Sequence, residues 1–326
     1  MSESPPVDIL LSTFNGEAFL PGQLDSILAQ SSEDWRLTAR DDGSCDRTWE
    51  ILNDYAGRDT RITLTSERDH LGAQGSFNRL LESAAPGRLY FLCDQDDIWP
   101  GDRLKTLLEA FTAAAAGTPP DTPQLLHSDL CSIDATGQIL VPSLHRASGT
   151  GHVKNDPLGC LLAQNFVTGC SAMFNDALRK VAVPIPEKAG GHDWWLALLA
   201  AALGTIHYLD RPLIQHRRHG ANASHSGRQT RWRDIPFFRG EQNPVRRRLI
   251  RRLLQSVALE ERLTTAAPDA PTTARLRDWN RASTRGGWRA LAAARRHGIR
   301  LQGFRRTLFF HWQLFACGRL DDERER

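Results

Sequence analysis

Apolar and polar positions alternate in short bursts along the first hundred residues. Residues 7–12 form a short, largely apolar run that ends at Thr13-Phe14-Asn15-Gly16, a turn signal. The spacing of Leu20, Leu24, Ile27 and Leu28 then predicts a helix over 20–29. Residues 35–39 alternate as a strand and stop at Asp41-Asp42-Gly43-Ser44; a helix over about 46–55 should follow, with Ser44 as its N-cap. A third strand is expected at 62–65, and a helix at 76–85 with Phe77, Leu80, Leu81 and Ala84 on one face. Residues 89–93 are apolar throughout, as a buried parallel strand should be. Repeated β-α units of this kind imply an α/β fold with a doubly wound, mostly parallel sheet and right-handed crossovers. Ligands bind such sheets beyond the carboxyl ends of the strands. The polar clusters sit at those ends.

The pattern loosens over 118–151, which is rich in Pro, Thr, Ser and Gly, with strand-like pieces only at 125–127 and 139–141. Ordered elements resume at 157–163, at a strand over 172–175 and at a helix beginning near Asp193, and short strands at 206–209 and 213–215 would close the sheet. This places one domain at 1–225 and a helical C-terminal region at 226–326, with helices over 246–263 and 289–320 separated by 268–273. Charge divides along similar lines. Residues 1–210 carry 15 Lys+Arg against 28 Asp+Glu, whereas 211–326 carry 26 Arg, no Lys and 10 Asp+Glu. An acidic front and an arginine-rich back point to different partners.

Other bulk features mainly exclude. No run of eighteen apolar residues predicts a membrane span, and the opening MSESPPVDILLS lacks the basic region of a cleaved signal peptide. Six scattered cysteines without a C-x-x-C pair read as reduced thiols rather than a disulfide framework or zinc site. A cytoplasmic protein is the expectation.

Three clusters can carry chemistry. Asp94-Gln95-Asp96-Asp97 ends the fourth strand, and three carboxylates so close repel one another unless a cation or several donors compensate. Mg²⁺ and Mn²⁺ prefer oxygen ligands and bridge carboxylates to diphosphates; a solvated acidic loop or a helix cap is the other reading. Asp41-Asp42-Gly43-Ser44 has the same placement, and is either a plain turn or a pair of acceptors for a pyrimidine N–H and ribose hydroxyls. His192-Asp193-Trp194-Trp195 opens an apolar helix. Asp193 there is either a first-turn carboxylate favoured by the helix dipole or a general base, with the tryptophans as a sugar-stacking wall. His219, in Arg217-Arg218-His219-Gly220-Ala221-Asn222, is a metal ligand, a diphosphate contact or a structural histidine.

Together these residues resemble the family-2 glycosyltransferases of the GT-A fold, in their bacterial rhamnosyltransferase-like branch. The matching pieces are S-T-F-N-G-E-A-F-L (12–20), D-D-G-S-C-D-R-T (41–48), F-L-C-D-Q-D-D-I-W (91–99), N-F-V-T-G-C-S-A-M-F-N (165–175), H-D-W-W (192–195) and R-R-H-G-A-N (217–222). Their order is more specific than any one of them. The resemblance implies an inverting, metal-dependent transfer of a sugar, rhamnose in this branch, from a dTDP- or UDP-sugar to a saccharide acceptor in surface polysaccharide synthesis. It implies that Thr13, Asn15, Asp41, Asp42, Asp94, Gln95 and Asp96 bind the nucleotide sugar. Asp94, Asp96 and His219 would hold Mn²⁺ or Mg²⁺, and Asp193 would be the base. Gly169, Trp194 and Trp195 would line the sugar or acceptor pocket. The Q-x-x-R-W of processive synthases is one residue short here, at Gln229-Thr230-Arg231-Trp232, and His216 stands where many relatives have Tyr.

Two rivals use the same fold. A nucleotidyltransferase should show a basic triphosphate loop after the first strand, and residues 13–19 contain no Lys or Arg. A non-catalytic glycan-binding protein would not need Asp94, Asp96 and Asp193. Nothing marks a nucleic-acid module, so no nucleic acid is expected. Residues 300–320 place Leu301, Phe304, Leu308, Phe309, Trp312, Phe315 and Leu320 largely on one helical side among arginines. That helix either packs on the protein or lies on an anionic membrane carrying a lipid-linked acceptor.

Overall fold

A computed structural model of the chain describes residues 6–220 and 243–316. The strands are β1 (Val7–Thr13), β2 (Trp35–Asp41), β3 (Ile62–Leu64), β4 (Leu89–Cys93), β5 (Gln124–Ile133), β6 (Ile139–Val141), β7 (Ala172–Asn175) and β8 (Thr205–Arg217). The helices are α1 (Leu20–Leu28), α2 (Thr48–Arg58), α3 (Gly72–Ser83), α4 (Arg103–Ala115), α5 (Leu144–Ser148), α6 (Pro157–Leu161), α7 (Asp176–Ala182), α8 (His192–Leu203), α9 (Pro244–Ala266), α10 (Pro271–Arg285), α11 (Gly287–Arg296) and α12 (Phe304–Ala316).

One sheet runs in the order β3-β2-β1-β4-β7-β5-β6, with β8 also paired to β5. β1, β2, β3 and β4 are mutually parallel, and β8 is parallel to β5. β7 is inserted antiparallel between β4 and β5, and β6 is antiparallel at the edge. The sheet is mixed but parallel-dominated, as the β-α repeats required. Leu20, Leu24 and Ile27 of α1 and Leu104, Leu107 and Phe111 of α4 share one core with Ile9, Leu37 and Phe91 of the strands.

Several elements differ from the sequence expectation. The helix expected over 289–320 is two, α11 and α12, parted at 297–303, with 317–320 outside the described residues, and α10 was not expected. All ten residues of β5 are buried, His127, Ser128, Asp129 and Ser132 among them. Polar residues in a doubly covered strand leave no alternation, so only its first apolar stretch was legible. β8 is one strand rather than two pieces; Pro212 falls where its register with β5 shifts, which accommodates the missing N–H. No helix was expected at α4, although Leu104, Leu107 and Phe111 keep helical spacing. Ser44 does not cap α2: its hydroxyl bonds Asp41, while Asp46 Oδ1 accepts from the Thr48 amide at 3.0 Å.

The chain forms two compact units. The first comprises Met1–Gly151, Val167–Ile185 and Gly204–Ala223 and carries the sheet; the second comprises His152–Phe166, Pro186–Leu203 and Ser224–Arg326. Compactness therefore does not follow the boundary at 225. The reason is α8, apolar along most of its length, which joins the helices that follow: Arg262 of α9 lies 5.6 Å from the Trp195 ring, and the Thr272 hydroxyl donates to the Ala202 carbonyl at 3.3 Å.

Candidate active site

Because β1, β2 and β4 are parallel and in register, their carboxyl ends share one edge; Thr13 pairs with Asp41, and Leu11 with Cys93. The Thr13 hydroxyl donates to Asp41 Oδ1 at 3.1 Å. Asp41 is fully buried and also receives the Ser44 amide at 3.1 Å and Nε and Nη2 of Arg68 at 2.9 and 2.8 Å. Asp42, likewise buried, pairs with the equally buried Arg40 and accepts the Leu71 and Gly72 amides at 2.9 and 2.8 Å, tying the start of α3 to the end of β2. Arg40 and Arg68 were not singled out from the sequence. Arg40 lies two residues from Asp42 and Arg68 lies 27 from Asp41, and only the fold turns each guanidinium onto its carboxylate.

The loops after β1 and β2 are laced together. The Asn15 amide donates to Ser44 Oγ at 2.8 Å, Asn15 Oδ1 accepts the Cys45 amide at 2.9 Å, and the Gly16 amide reaches Thr48 Oγ1 at 2.7 Å. Asn15 adopts φ +47°, a left-handed conformation that Asn tolerates better than most residues. The acidic loop joins in through Gln95, whose side-chain amide accepts from the Phe14 N–H at 2.8 Å and donates to the Phe14 carbonyl at 2.9 Å. Phe14, 43% exposed, packs its ring 4.6 Å from that of His70. An aromatic pair thus stands beside Asp41 and Asp42.

Within the acidic loop the aspartates do different work. Asp96 Oδ2 lies 2.8 Å from His219 Nε2, so these two expected partners meet. Donor atoms of Asp94, Asp97 and Cys170 lie within 4.8 Å of one another. Asp97 is buried; its Oδ1 accepts the Arg217 amide at 3.1 Å, and the Cys170 thiol hydrogen-bonds to its carboxyl. Burial raises the Asp97 carboxyl, and burial together with Asp97 and Asp94 pushes the Cys170 thiol well above its ordinary value. Carboxylate oxygens outnumber the one sulfur in this group, and such oxygens suit Mn²⁺ or Mg²⁺.

Two arginines brace the loop, a role that neither Arg103 nor the motif residue Arg217 carries in the sequence pattern. Arg217 donates through Nε to the Asp96 carbonyl at 2.9 Å and through Nη1 to the Asp134 and Ala135 carbonyls. Arg103 is completely buried beneath, bonding the Leu213 and Cys170 carbonyls at 2.8 and 2.6 Å and facing the Trp99 ring at 4.4 Å. Burial lowers its pKa to about 10, so it stays charged at neutral pH. Gly169 opens the buried 3₁₀ turn Gly169–Ser171 that contains Cys170.

Asp193, Trp194 and Trp195 belong to the second unit. Asp193 sits in the first turn of α8, accepting the Trp194 amide at 2.6 Å and Asn165 Nδ2 at 3.2 Å. The Trp194 indole N–H donates to the Leu161 carbonyl at 2.7 Å. Trp195 is completely buried. Its ring is therefore a packing surface, which corrects the expectation that both tryptophans form a sugar-stacking wall. Gln229–Trp232 and residues 221 and 222 lie outside the described residues.

The fold and the crevice at the carboxyl ends of β1, β2 and β4 define the GT-A architecture of glycosyltransferases. Residues 8–123 match the family described as Glycosyl transferase family 2. Over 105 residues the chain is 33% identical to a Bacillus subtilis protein named as a putative teichuronic acid biosynthesis glycosyltransferase, TuaG, covering 32% of this chain and 41% of that protein. Over 99 residues it is 32% identical to the Escherichia coli UDP-Glc:alpha-D-GlcNAc-diphosphoundecaprenol beta-1,3-glucosyltransferase WfgD, covering 30% of this chain and 38% of that one. The chain thus spans about two-fifths of the length of each relative. Its fold is similar to that of S. aureus TarS 1-349, crystallised with UDP-GlcNAc, at a TM-score of 0.51 and 16% identity over 88% of this chain and 79% of that one.

Proposed function

We propose that this protein transfers a sugar from a nucleoside-diphosphate donor to a saccharide acceptor in bacterial surface polysaccharide synthesis, with inversion at the anomeric carbon. The observation that carries this reading is the meeting, at one sheet edge, of the Thr13–Asp41 pair and an acidic loop whose Asp96 contacts His219. The base and ribose fall to Thr13, Asn15, Asp41 and Asp42, with the Phe14 ring, tilted 37° to that of His70, offering an aromatic face. Two backbone amides engage Asp42, so Asp41, whose hydroxyl partners can be exchanged for ligand donors, is the better recognition group. Asp94, Asp96 and His219 would hold Mn²⁺ or Mg²⁺, which when bound offsets charge on the departing diphosphate. Gln95 holds the donor loop closed. Asp193 takes the proton of the attacking acceptor hydroxyl, with Gly169 and Trp194 near the sugar.

The name of the Escherichia coli relative favours a UDP-sugar and a lipid-linked saccharide acceptor, hence work at a membrane surface; the ordered motifs favour rhamnose from dTDP. Thermal stabilisation of the purified protein tests the core of the proposal. UDP or dTDP should raise Tm with Mn²⁺ present and far less in EDTA, by the free energy that binding adds, about 2.7 kcal/mol at a hundredfold excess over Kd. Asp96→Ala should keep the fold, with a ligand-free Tm lowered only by the lost His219 contact, and lose the metal-dependent rise. An undiminished rise and undiminished sugar transfer in that variant would overturn the assignment.

A further inference from the structure

Helix α12 has two apolar faces. Phe310 and Leu314 are buried, whereas Phe304, Leu308, Trp312 and Phe315 are 78%, 48%, 40% and 42% exposed. At 100° per residue the four exposed side chains fall within an arc of about 80°, opposite the buried ones. Burial against the rest of the second unit accounts for one face, while the other is exposed to the extent given. The patch continues onto α11: Trp288 is 71% exposed, and its ring meets that of Phe315 at 4.9 Å. Contiguous exposed apolar surface of this kind marks an interaction site.

Charge identifies the occupant. Residues 279–316 hold eight arginines and no acidic residue. Arg285, Arg289 and Arg305 are exposed close in sequence to the aromatic side chains. A second copy of the same face would bring like charges together, so self-association is disfavoured. An apolar surface that must be met by negative charge fits the boundary between acyl chains and anionic headgroups, where aromatic rings insert shallowly and guanidinium groups pair with phosphates. Among the described residues no helix is long and apolar enough to cross a membrane, so any attachment through this face is peripheral.

We propose that the exposed α11–α12 face seats the protein on an anionic lipid bilayer. This names the surface for the membrane-side acceptor suggested above but does not require that activity, and it is tested without substrate. The full chain should co-sediment with vesicles of phosphatidylcholine mixed with phosphatidylglycerol at low salt, and hardly with phosphatidylcholine alone. High salt should release it. Phe304→Ser with Leu308→Ser, and separately Arg289→Glu with Arg305→Glu, should each weaken binding at least about tenfold. Because all four side chains are exposed, Tm and the nucleotide-dependent rise in Tm should be unchanged. If the unmodified chain ignores anionic vesicles, or binds neutral ones equally, the proposal fails. It fails too if both variants bind undiminished, or if Leu308→Ser instead abolishes a dimer or the retention of nucleic acid.

Discussion

Gly16→Ala probes the clasp between the β1 loop and the acidic loop. A Cβ at Gly16 would overlap Gln95 Oε1 and lie 2.5 Å from its Cδ, and the backbone there is outside the left-handed region, so the cost is purely steric. The Gln95 amide must leave, and with it the two hydrogen bonds to Phe14. Neutral hydrogen bonds contribute about 1 kcal/mol each, and the freed Phe14 groups at this exposed position can rehydrate, so the expected loss is about 1–2 kcal/mol. Gln95→Ala removes the same two bonds and should cost a similar amount. The three atoms nearest the new methyl all belong to that amide, so the double variant should be little worse than Gln95→Ala alone. Any effect of the alanine on the unfolded chain is common to both backgrounds and cancels in the cycle. Urea unfolding of the four proteins should therefore give a coupling energy of about 1–2 kcal/mol. Strict additivity would refute the clasp.

Two further outcomes follow from other parts of the structure. Asp193 lies in the first turn of α8, where Asn gives up only the carboxylate's interaction with the helix dipole, about 0.3–1 kcal/mol, so Asp193→Asn should hardly change stability while lowering kcat at least about a hundredfold if Asp193 is the base; steady-state kinetics with unaltered kcat would reduce it to a first-turn carboxylate. For Asp176, burial acts to raise the carboxyl, but hydrogen bonds from Arg179 and Lys180 outweigh it and hold the pKa at about 2, below the ordinary 3.8. A depressed folded-state pKa stabilises above the unfolded value and loses that stabilisation as pH falls through about 2. Asp176→Asn should thus cost about 2 kcal/mol at neutral pH, a gap that narrows steadily in acid; denaturation curves showing the same cost at both ends would contradict the ion-pair account.

The amino-acid order alone determined the β-α repeat, the strand ends and the acidic clusters, because strands β1, β2 and β4 are short apolar runs closed by polar turns. It also located Asp96 and His219, although 123 residues apart, as members of one motif set. Tertiary structure decided what those groups touch. Arg40, Arg68 and Arg103 carry no local pattern, and the motif holding Arg217 does not reveal its brace, since a buried cation's work is recognisable only from the carboxylates, carbonyls and rings packed around it. Asp97 looked equivalent to its neighbours, yet burial under the Arg217 backbone makes it a brace. Trp194 and Trp195 are adjacent in sequence, but helical rotation turns the second wholly inward. The same geometry splits the apolar residues of α12 between a buried and an exposed face. Helical spacing restricts which residues can share a face, but only the packed partner determines which face meets water.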